Sequence, residues 1–445
     1  MAKQLFGTDG IRGVAGEPPL DRRTVFAFGR ALGKDLKHGE VLIGMDTRES
    51  GPWIAAQVAA GLASEGVRTR FAGIVTTPGV AYLTRSQGFA AGVMISASHN
   101  PYRDNGLKVF AASGFKLPDR EEHLIEQEIF RLLSPPEAPE AAPEAPAQTV
   151  DPGLDRQYCD FLLSTLSVPL TGMRLALDCG NGAASHLAPE LFRNAGATVV
   201  AINALPDGRN INLDCGALYV EGLQDAVLRH HADAGAAFDG DADRAMLVSG
   251  SGKIVDGDGM LLIAARSLKA AGHLKGDTVV STVMANLGLE KALEREGIRM
   301  TRTPVGDKYV LEEMERSGAV LGGEQSGHVI FRESATTGDG MLTALRIFEI
   351  ARRADSDLDR LTQDLEIYPQ KLVNVRVRRR ETLENLPAVA KEIAGATERL
   401  NGTGRVLVRF SGTEPLARVM VEARDARQVD EFTGRIAAAI FAELG

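Results

Sequence analysis

The sequence predicts an α/β protein of several domains that closes with a smaller α+β unit. Three observations carry this. Short apolar runs alternate with helical patterns along most of the chain, the rhythm of α/β units with mostly parallel strands. The 445 residues exceed what one hydrophobic core fills, so three or four domains are expected. The last segment changes character, with strands and helices in an order that suits a separate α+β unit.

Strands are expected at residues 41–45, 93–95, 175–177, 199–202 and 279–283. Helices are expected between them at 53–64, 121–133, 183–194, 287–296 and 309–316. Residues 91–95 and 234–238 are small and apolar, as buried strands are, and each leads into a polar loop. A Pro/Ala/Glu-rich stretch at 135–148 reads as a linker that ends a first domain at 150. A hairpin followed by a helix near Asp256-Gly257-Asp258-Gly259 marks a second boundary, which gives domains at 151–253 and 254–368. The pentapeptide Gly-Asp-Gly-Met-Leu occurs at 257–261 and again at 338–342. Each copy precedes an apolar helical run, so Asp258 and Asp339 are expected as N-caps. In the final domain, 369–445, strands are expected at 372–377, 406–410 and 419–423, and helices at 383–400 and 429–444.

Composition narrows the function. A net charge of −9 argues against broad nucleic-acid or membrane-surface binding. An acidic protein that handles an anionic substrate must gather its cations locally, which directs attention to clustered Arg and Lys. Three cysteines, Cys159, Cys179 and Cys215, have no disulfide or zinc spacing and suit a reduced, cytoplasmic setting. The first residues lack a signal-peptide core, and no stretch approaches a membrane span of ~20 apolar residues.

Two segments carry the chemistry. Ser96-Ala97-Ser98-His99-Asn100-Pro101 places a hydroxyl just past a strand end, where open α/β sheets bind ligands. A Ser/Asn-rich turn is the plain alternative, and Ser98-His99 does not read as a catalytic pair, since adjacent residues seldom present side chains to one another. Asp239-Gly240-Asp241-Ala242-Asp243-Arg244 offers three carboxylates on a bent loop that can converge on Mg²⁺. It is not an EF-hand, because Arg244 stands where that loop needs Gly and Gly250 where it needs Glu. A solvated acidic turn would leave three like charges in mutual repulsion. A hydroxyl beside a magnesium site is what phosphoryl transfer through a phosphoserine requires.

Further segments supply partners. Arg244 can brace a phosphoryl group. Lys108, in Asn105-Gly106-Leu107-Lys108, lies close to Ser98 in sequence, with an exposed strand lysine as its alternative. Phe6-Gly7-Thr8-Asp9-Gly10-Ile11-Arg12-Gly13 is glycine-rich without a dinucleotide or Walker pattern, and Arg12 can point at an anion. Gly322-Gly323-Glu324-Gln325-Ser326-Gly327-His328 offers hydrogen-bonding groups for sugar hydroxyls. Arg409-Phe410-Ser411-Gly412-Thr413-Glu414-Pro415-Leu416-Ala417-Arg418 sets two arginines around hydroxyls and a glycine amide, a cradle for phosphate.

These five motifs, in this order, resemble the α-D-phosphohexomutase family along essentially the full length of the chain. The resemblance implies four domains around a central cleft: three α/β domains with mixed sheets and a smaller C-terminal α+β domain. It implies Ser98 as the phosphorylated nucleophile, and one Mg²⁺ per chain held by Ser98, Asp239, Asp241 and Asp243. It assigns Glu324 and Ser326 to sugar hydroxyls, and Arg409, Ser411, Gly412, Thr413 and Arg418 to the phosphate that is not transferred. Arg12, Lys108 and Arg244 would act at the reacting oxygens, and either Lys108 or His328 would move the proton. Gln325 and the run Thr303-Pro304-Val305-Gly306-Asp307-Lys308 resemble the amino-sugar branch, whereas mannose and glucose relatives tend to carry Met at 325. Phe410 stands where many relatives have Pro.

The implied reaction is interconversion of glucosamine 6-phosphate and glucosamine 1-phosphate, feeding UDP-N-acetylglucosamine and cell-wall synthesis. Glucosamine 1,6-bisphosphate or glucose 1,6-bisphosphate would be the intermediate or activator. A small sugar phosphate is the expected partner, with no nucleic acid or membrane, and a homodimer stays open. The competing readings are phosphomannomutase or phosphoglucomutase chemistry, a non-catalytic sugar-phosphate sensor and a Mg²⁺ phosphatase.

Overall fold

The computed structural model describes the chain except residues 1–3, 8, 37, 135–143, 146, 380, 383–384 and 411–414. Most of the expected linker, with Thr8, Ser411, Gly412, Thr413 and Glu414, therefore lies outside the described residues. The described residues divide into two compact units, Met1–Met284 with Ile298–Gln363, and Ala285–Gly297 with Asp364–Gly445.

Short apolar runs buried on both faces build the centre of the first sheet. Its six strands run in the order Phe6–Gly7, Gly10–Val14, Asp104–Ala111, Ala91–Ile95, Glu40–Met45, Arg68–Ile74. Val41, Ile43, Val93, Ile95, Leu107 and Val109 form a common core with Phe28, Ile54, Leu62 and Ile129. These last four come from the helices Arg22–Leu36, Gly51–Ser64 and Asp119–Leu133. The helix Thr77–Ser86 lies over Gly44 and Gly92, where a Cβ would strike Val80 and Thr84.

The second sheet orders Ile254–Val255, Ala245–Ser249, Ala234–Phe238, Arg174–Asp178 and Thr198–Ile202. The third orders Arg299–Thr303, Thr278–Thr282, Leu321–Gly323 and Val329–Phe331. In all three sheets parallel pairing is confined to one side, and the other side is antiparallel. The sheets are therefore mixed, as the family resemblance implies, rather than mostly parallel, as the alternation of strands and helices alone suggests. A short polar loop that returns at once to its sheet needs an antiparallel partner, since a parallel return needs a long crossover. The aspartate loop and the loop at 324–328 are both returns of this kind.

The second unit is the expected α+β segment. Its antiparallel sheet orders Gln370–Arg376, Leu416–Ala423 and Gly404–Phe410, and shares a core with the helices Pro387–Leu400 and Ala426–Leu444. The first of these helices starts at Pro387 rather than at 383, since proline suits the first helical turn. The helix Leu287–Arg295, expected within 254–368, groups with this unit. Leu287 N–H donates to Glu422 Oε1 at 2.9 Å, and Asn286 Nδ2 donates to the Tyr368 carbonyl at 3.0 Å.

Asp339 caps the helix Gly340–Arg353 by accepting from Leu342 N–H at 2.9 Å, as expected. Asp258 does not cap. It is buried in the first turn of the helix Gly257–Ala270, and Asp256 is the cap, accepting from Gly259 N–H at 3.1 Å. The helix begins one residue before the repeated Asp, so the cap falls two positions earlier. Among the described residues, no helix is long and apolar enough to cross a membrane.

The helices Arg22–Leu36 and Gly51–Ser64 touch backbone to backbone at Gly29 and Gly61. A Cβ on Gly61 would lie 2.4 Å from the Phe26 carbonyl and 2.8 Å from the Gly29 Cα. Backbone cannot move aside as a side-chain tip can. Gly61→Val is expected to lower stability by about 3 kcal/mol, the upper range for overpacking. A urea melt checks this, and an unchanged midpoint would contradict the packing described.

Candidate active site

Ser98 follows the strand Ala91–Ile95 and has φ of +52°, a left-handed conformation that a serine adopts only when its surroundings enforce it. Those surroundings are specific. Ser98 N–H donates to Ser96 Oγ at 2.9 Å, and Ser96 Oγ donates to Asp46 Oδ2 at 2.6 Å. The Ser98 carbonyl accepts from Arg48 Nη2 and from Asn212 Nδ2, each at 2.9 Å. Held in this way, the Ser98 hydroxyl donates to Asp239 Oδ2 at 2.5 Å.

The aspartate loop joins Ala234–Phe238 to Ala245–Ser249, with Phe238 opposite Ala245. Ala242 at φ of +53° gives the bend. Asp239, Asp241 and Asp243 are buried, and each offers an oxygen within 4.8 Å of the others. Gly240 allows the loop to reach the serine segment, for a Cβ there would lie 2.4 Å from the Ser98 carbonyl oxygen. Asp241 meets the start of the helix Thr77–Ser86. Thr77 N–H donates to its carbonyl at 3.0 Å and Thr77 Oγ1 to its Oδ2 at 2.5 Å, with the positive end of the helix behind them.

Burial, then the charges of Asp243 and Asp241, push the Asp239 carboxyl well above the usual carboxylate range. Asp241 Oδ1 and Asp243 Oδ1 are buried without hydrogen-bond partners. Converging buried carboxylate oxygens, two of them without hydrogen-bond partners, are the donor set of a hard divalent cation, so these residues fit a metal.

Lys108 is no exposed strand lysine. Its Nζ is buried 2.8 Å from Asp241, 3.0 Å from Asp9 and 3.5 Å from Asp243. Burial opposes its charge, but these three carboxylates raise its pKa well above the ordinary lysine value.

Beside the cluster lies a cavity of 440 Å³, a size suited to a small polar metabolite. Asp9, Arg12, His99, Asp243, Arg244, Asp307, Glu324 and His328 line it. Arg12 pairs with Asp9. Arg244 N–H donates to Asp239 Oδ1 at 3.2 Å, and Arg244 Nε lies 3.9 Å from Asp243. Lys116 bridges Asp9 at 2.6 Å and Asp307 at 2.5 Å. The buried His328 ring has Asp243 and Asp307 at 3.7 Å on its two nitrogens. Gly338 N–H donates to Nε2 at 3.0 Å, which leaves the ring proton on Nδ1, toward Asp243. Burial draws this ring toward neutrality, but Asp243, Asp307 and Glu324 raise its pKa above the ordinary value. Glu324 accepts from Gly306 N–H at 3.1 Å. Ser326 is exposed and is not among the residues that line the cavity.

In the second unit, Arg409 and Arg418 stand opposite each other on paired strands. Burial and then the Arg418 charge push the Arg409 pKa down. Two like charges so placed suit an anion. Ser411, Gly412 and Thr413, between them in sequence, lie outside the described residues.

Sequence reasoning overlooked several residues. His99 Nδ1 lies 3.3 Å from Ser98 Oγ, so the adjacent pair does meet, because the left-handed turn at Ser98 swings the two side chains together. Burial and then Arg244 and Arg12 lower the His99 pKa. Asp46 and Arg48 lie just past the strand Glu40–Met45, the neighbour of the serine strand in the same sheet, so the strand-end rule that marked Ser98 would have marked them too. Asp9 and Asp307 lie in segments that the sequence marks, but their charge pairing is not visible there; Thr77, Asn212 and Lys116 had no local signal, since their partners are remote in sequence.

Four family models match the chain: phosphoglucomutase/phosphomannomutase alpha/beta/alpha domains I, II and III at residues 3–135, 156–252 and 256–368, and the C-terminal domain at 372–439. A phosphoglucosamine mutase of Solibacter usitatus is 66% identical over the whole of both chains. One from Koribacter versatilis is 52% identical, over 100% of this chain and 98% of its own. Among solved structures, a phosphoglucomutase/phosphomannomutase family protein of Burkholderia thailandensis is similar at TM-score 0.79 and 25% identity, covering 99% of this chain and 98% of its own. An Aspergillus fumigatus N-acetylphosphoglucosamine mutase, solved with GlcNAc-6P and magnesium, shares the fold at TM-score 0.66 and 19% identity. That match covers 99% of this chain and 96% of its own.

The charge balance at Lys108 generates a prediction. Lys108→Met leaves the buried carboxylates without their cation, which costs about 3–5 kcal/mol in metal-free protein. A divalent cation should then raise the melting temperature of the variant more than that of the wild type. Equal shifts in thermal melts with and without a chelator would contradict this.

Proposed function

The chain belongs to the phosphoglucomutase/phosphomannomutase family, and on that premise we propose that it interconverts glucosamine 6-phosphate and glucosamine 1-phosphate through a phosphate carried on Ser98. One observation carries the reading: the Ser98 hydroxyl, remote in sequence from the aspartate loop, sits within hydrogen-bond distance of it at the edge of a polar cavity. The amino sugar is favoured by full-length relatives named phosphoglucosamine mutase. The phosphomannomutase and phosphoglucomutase alternatives share the chemistry.

Asp239, Asp241 and Asp243, with Ser98 beside them, would hold Mg²⁺. When bound, it supplies positive charge that polarises the transferring phosphoryl group. The protein's own groups do the rest. Glu324 orients sugar hydroxyls in the cavity, and Arg12 and Arg244 stabilise charge on the phosphoryl oxygens. Arg409 and Arg418 bind a phosphate that is not reacting, together with the loop between them. The sugar 1-hydroxyl attacks the phosphorus on Ser98. The new O–P bond forms as the Ser98 Oγ–P bond breaks, which gives the 1,6-bisphosphate and the free serine. Of Lys108 and His328, only His328 can take the hydroxyl proton, and only as Nε2 gives up its bond from Gly338 N–H. Lys108, held as an ammonium by three carboxylates, has no lone pair for that proton and offsets their charge instead. The intermediate reorients, and Ser98 takes back the 6-phosphate, leaving glucosamine 1-phosphate.

Ser98→Ala is expected to abolish interconversion while glucosamine 6-phosphate still binds. A coupled assay and calorimetric titration check this, and near-normal turnover by the variant would overturn the covalent route. The sugar is settled by kcat/KM for the glucosamine, mannose and glucose phosphates. The reading expects the first to exceed the others by tenfold or more, on the order of the discrimination from one buried polar contact.

A further inference from the structure

We infer that Arg48 and Asn212 are positioning residues for the nucleophile, a two-sided clamp on the serine segment; the inference rests on the function proposed above. The clamp is unusual in its convergence. Arg48 Nη2 donates to the carbonyls of Ser98 at 2.9 Å and Asn100 at 2.8 Å. Asn212 Nδ2 donates to the same two carbonyls, at 2.9 Å and 3.2 Å. Arg48 Nη1 donates to the carbonyls of Pro101 and Asp104 as well. Arg48 thus gathers four carbonyls of one segment with a single guanidinium, whose planar fork a lysine cannot reproduce.

The guanidinium is itself fixed. Arg48 Nε donates to Asp46 Oδ2 at 2.8 Å, and both side chains are fully buried. Asp46 Oδ2 also accepts from Ser96 Oγ, which in turn accepts from Ser98 N–H. Both the N–H and the carbonyl of Ser98 are therefore tied to the Asp46–Arg48 pair. Asn212 approaches from the segment that follows the second-sheet strand Thr198–Ile202, beside Gly240 of the aspartate loop. The clamp is closed only when the serine segment and the second sheet are together.

The strained conformation gives the clamp its purpose. A serine at φ of +52° relaxes toward the extended region unless it is held, and that relaxation would swing Oγ away from Asp239. None of the six clamp bonds involves the Ser98 hydroxyl or the aspartate carboxylates. The clamp acts on the direction of the nucleophile and leaves the sugar cavity alone, as neither Arg48 nor Asn212 is among the residues that line it.

Asn212→Gly is the cleanest test. Asn212 has φ of +58°, which glycine accepts, so the variant loses the amide without backbone strain. We expect kcat to fall by about tenfold to a hundredfold, the cost of a nucleophile misplaced by roughly 1 Å, with KM for glucosamine 6-phosphate changed less than about twofold. Arg48→Lys should show the same split. Single-turnover phosphorylation of Ser98 by glucose 1,6-bisphosphate should slow by the same factor. Thr47→Val is the control, since Thr47 Oγ1 donates to the Asn181 carbonyl at 2.6 Å across the same junction without touching the serine segment. It should keep the wild-type kcat. Unchanged kcat in Asn212→Gly overturns the clamp, as does an equal loss in Thr47→Val. Wild-type protein that is phosphorylated on Ser98 but forms no glucosamine 1-phosphate would instead refute the proposed substrate, and the phosphorylation rates would still test the clamp.

Discussion

Three buried carboxylates forced together by one short loop set the terms for everything around them. Asp239, Asp241 and Asp243 repel one another, and burial magnifies the repulsion. The chain answers with Lys108 from the first sheet, with the N-terminal end of the helix Thr77–Ser86, and with two oxygens left open for a metal. The first and second sheets are therefore joined through charge at this point. The serine segment closes the gap, so the Ser98 hydroxyl, the proposed nucleophile, arrives beside the buried carboxylates.

That arrangement costs conformational freedom. Ser98 and Ala242 adopt left-handed backbone, and Gly240 leaves no room for a side chain between them. Beyond the cluster the alternation of charge continues through Asp9, Lys116, Asp307 and His328 around the cavity wall. Each buried charge there has an opposite neighbour. This is how a protein of net negative charge can gather cations for the proposed anionic substrate: by local pairing, with Arg12 and Arg244 lining the cavity.

Much of this was legible in the sequence, and for physical reasons. The strands at 41–45, 93–95 and 199–202 follow from local apolar patterning, which depends on nothing remote. Ser98 and the aspartate loop were legible because strand ends and spaced carboxylates have local signatures. The antiparallel halves of the sheets came only from the family resemblance, because strand direction is set by pairing rather than by composition. Asn212 and Lys116 were not legible, since their roles exist only through residues distant in the chain. The missed cap at Asp256 shows a repeated motif drawing attention two residues past the group that does the work.

The proposed reaction depends on Ser98 carrying phosphate. The most direct test is the intact mass of the purified protein after brief incubation with glucose 1,6-bisphosphate and magnesium, followed by peptide mapping of the modification. A single phosphate is expected, on Ser98, and it should disappear when excess glucosamine 6-phosphate is added. Phosphate on another residue, or full turnover by protein in which Ser98 never carries any, would contradict the proposed reaction.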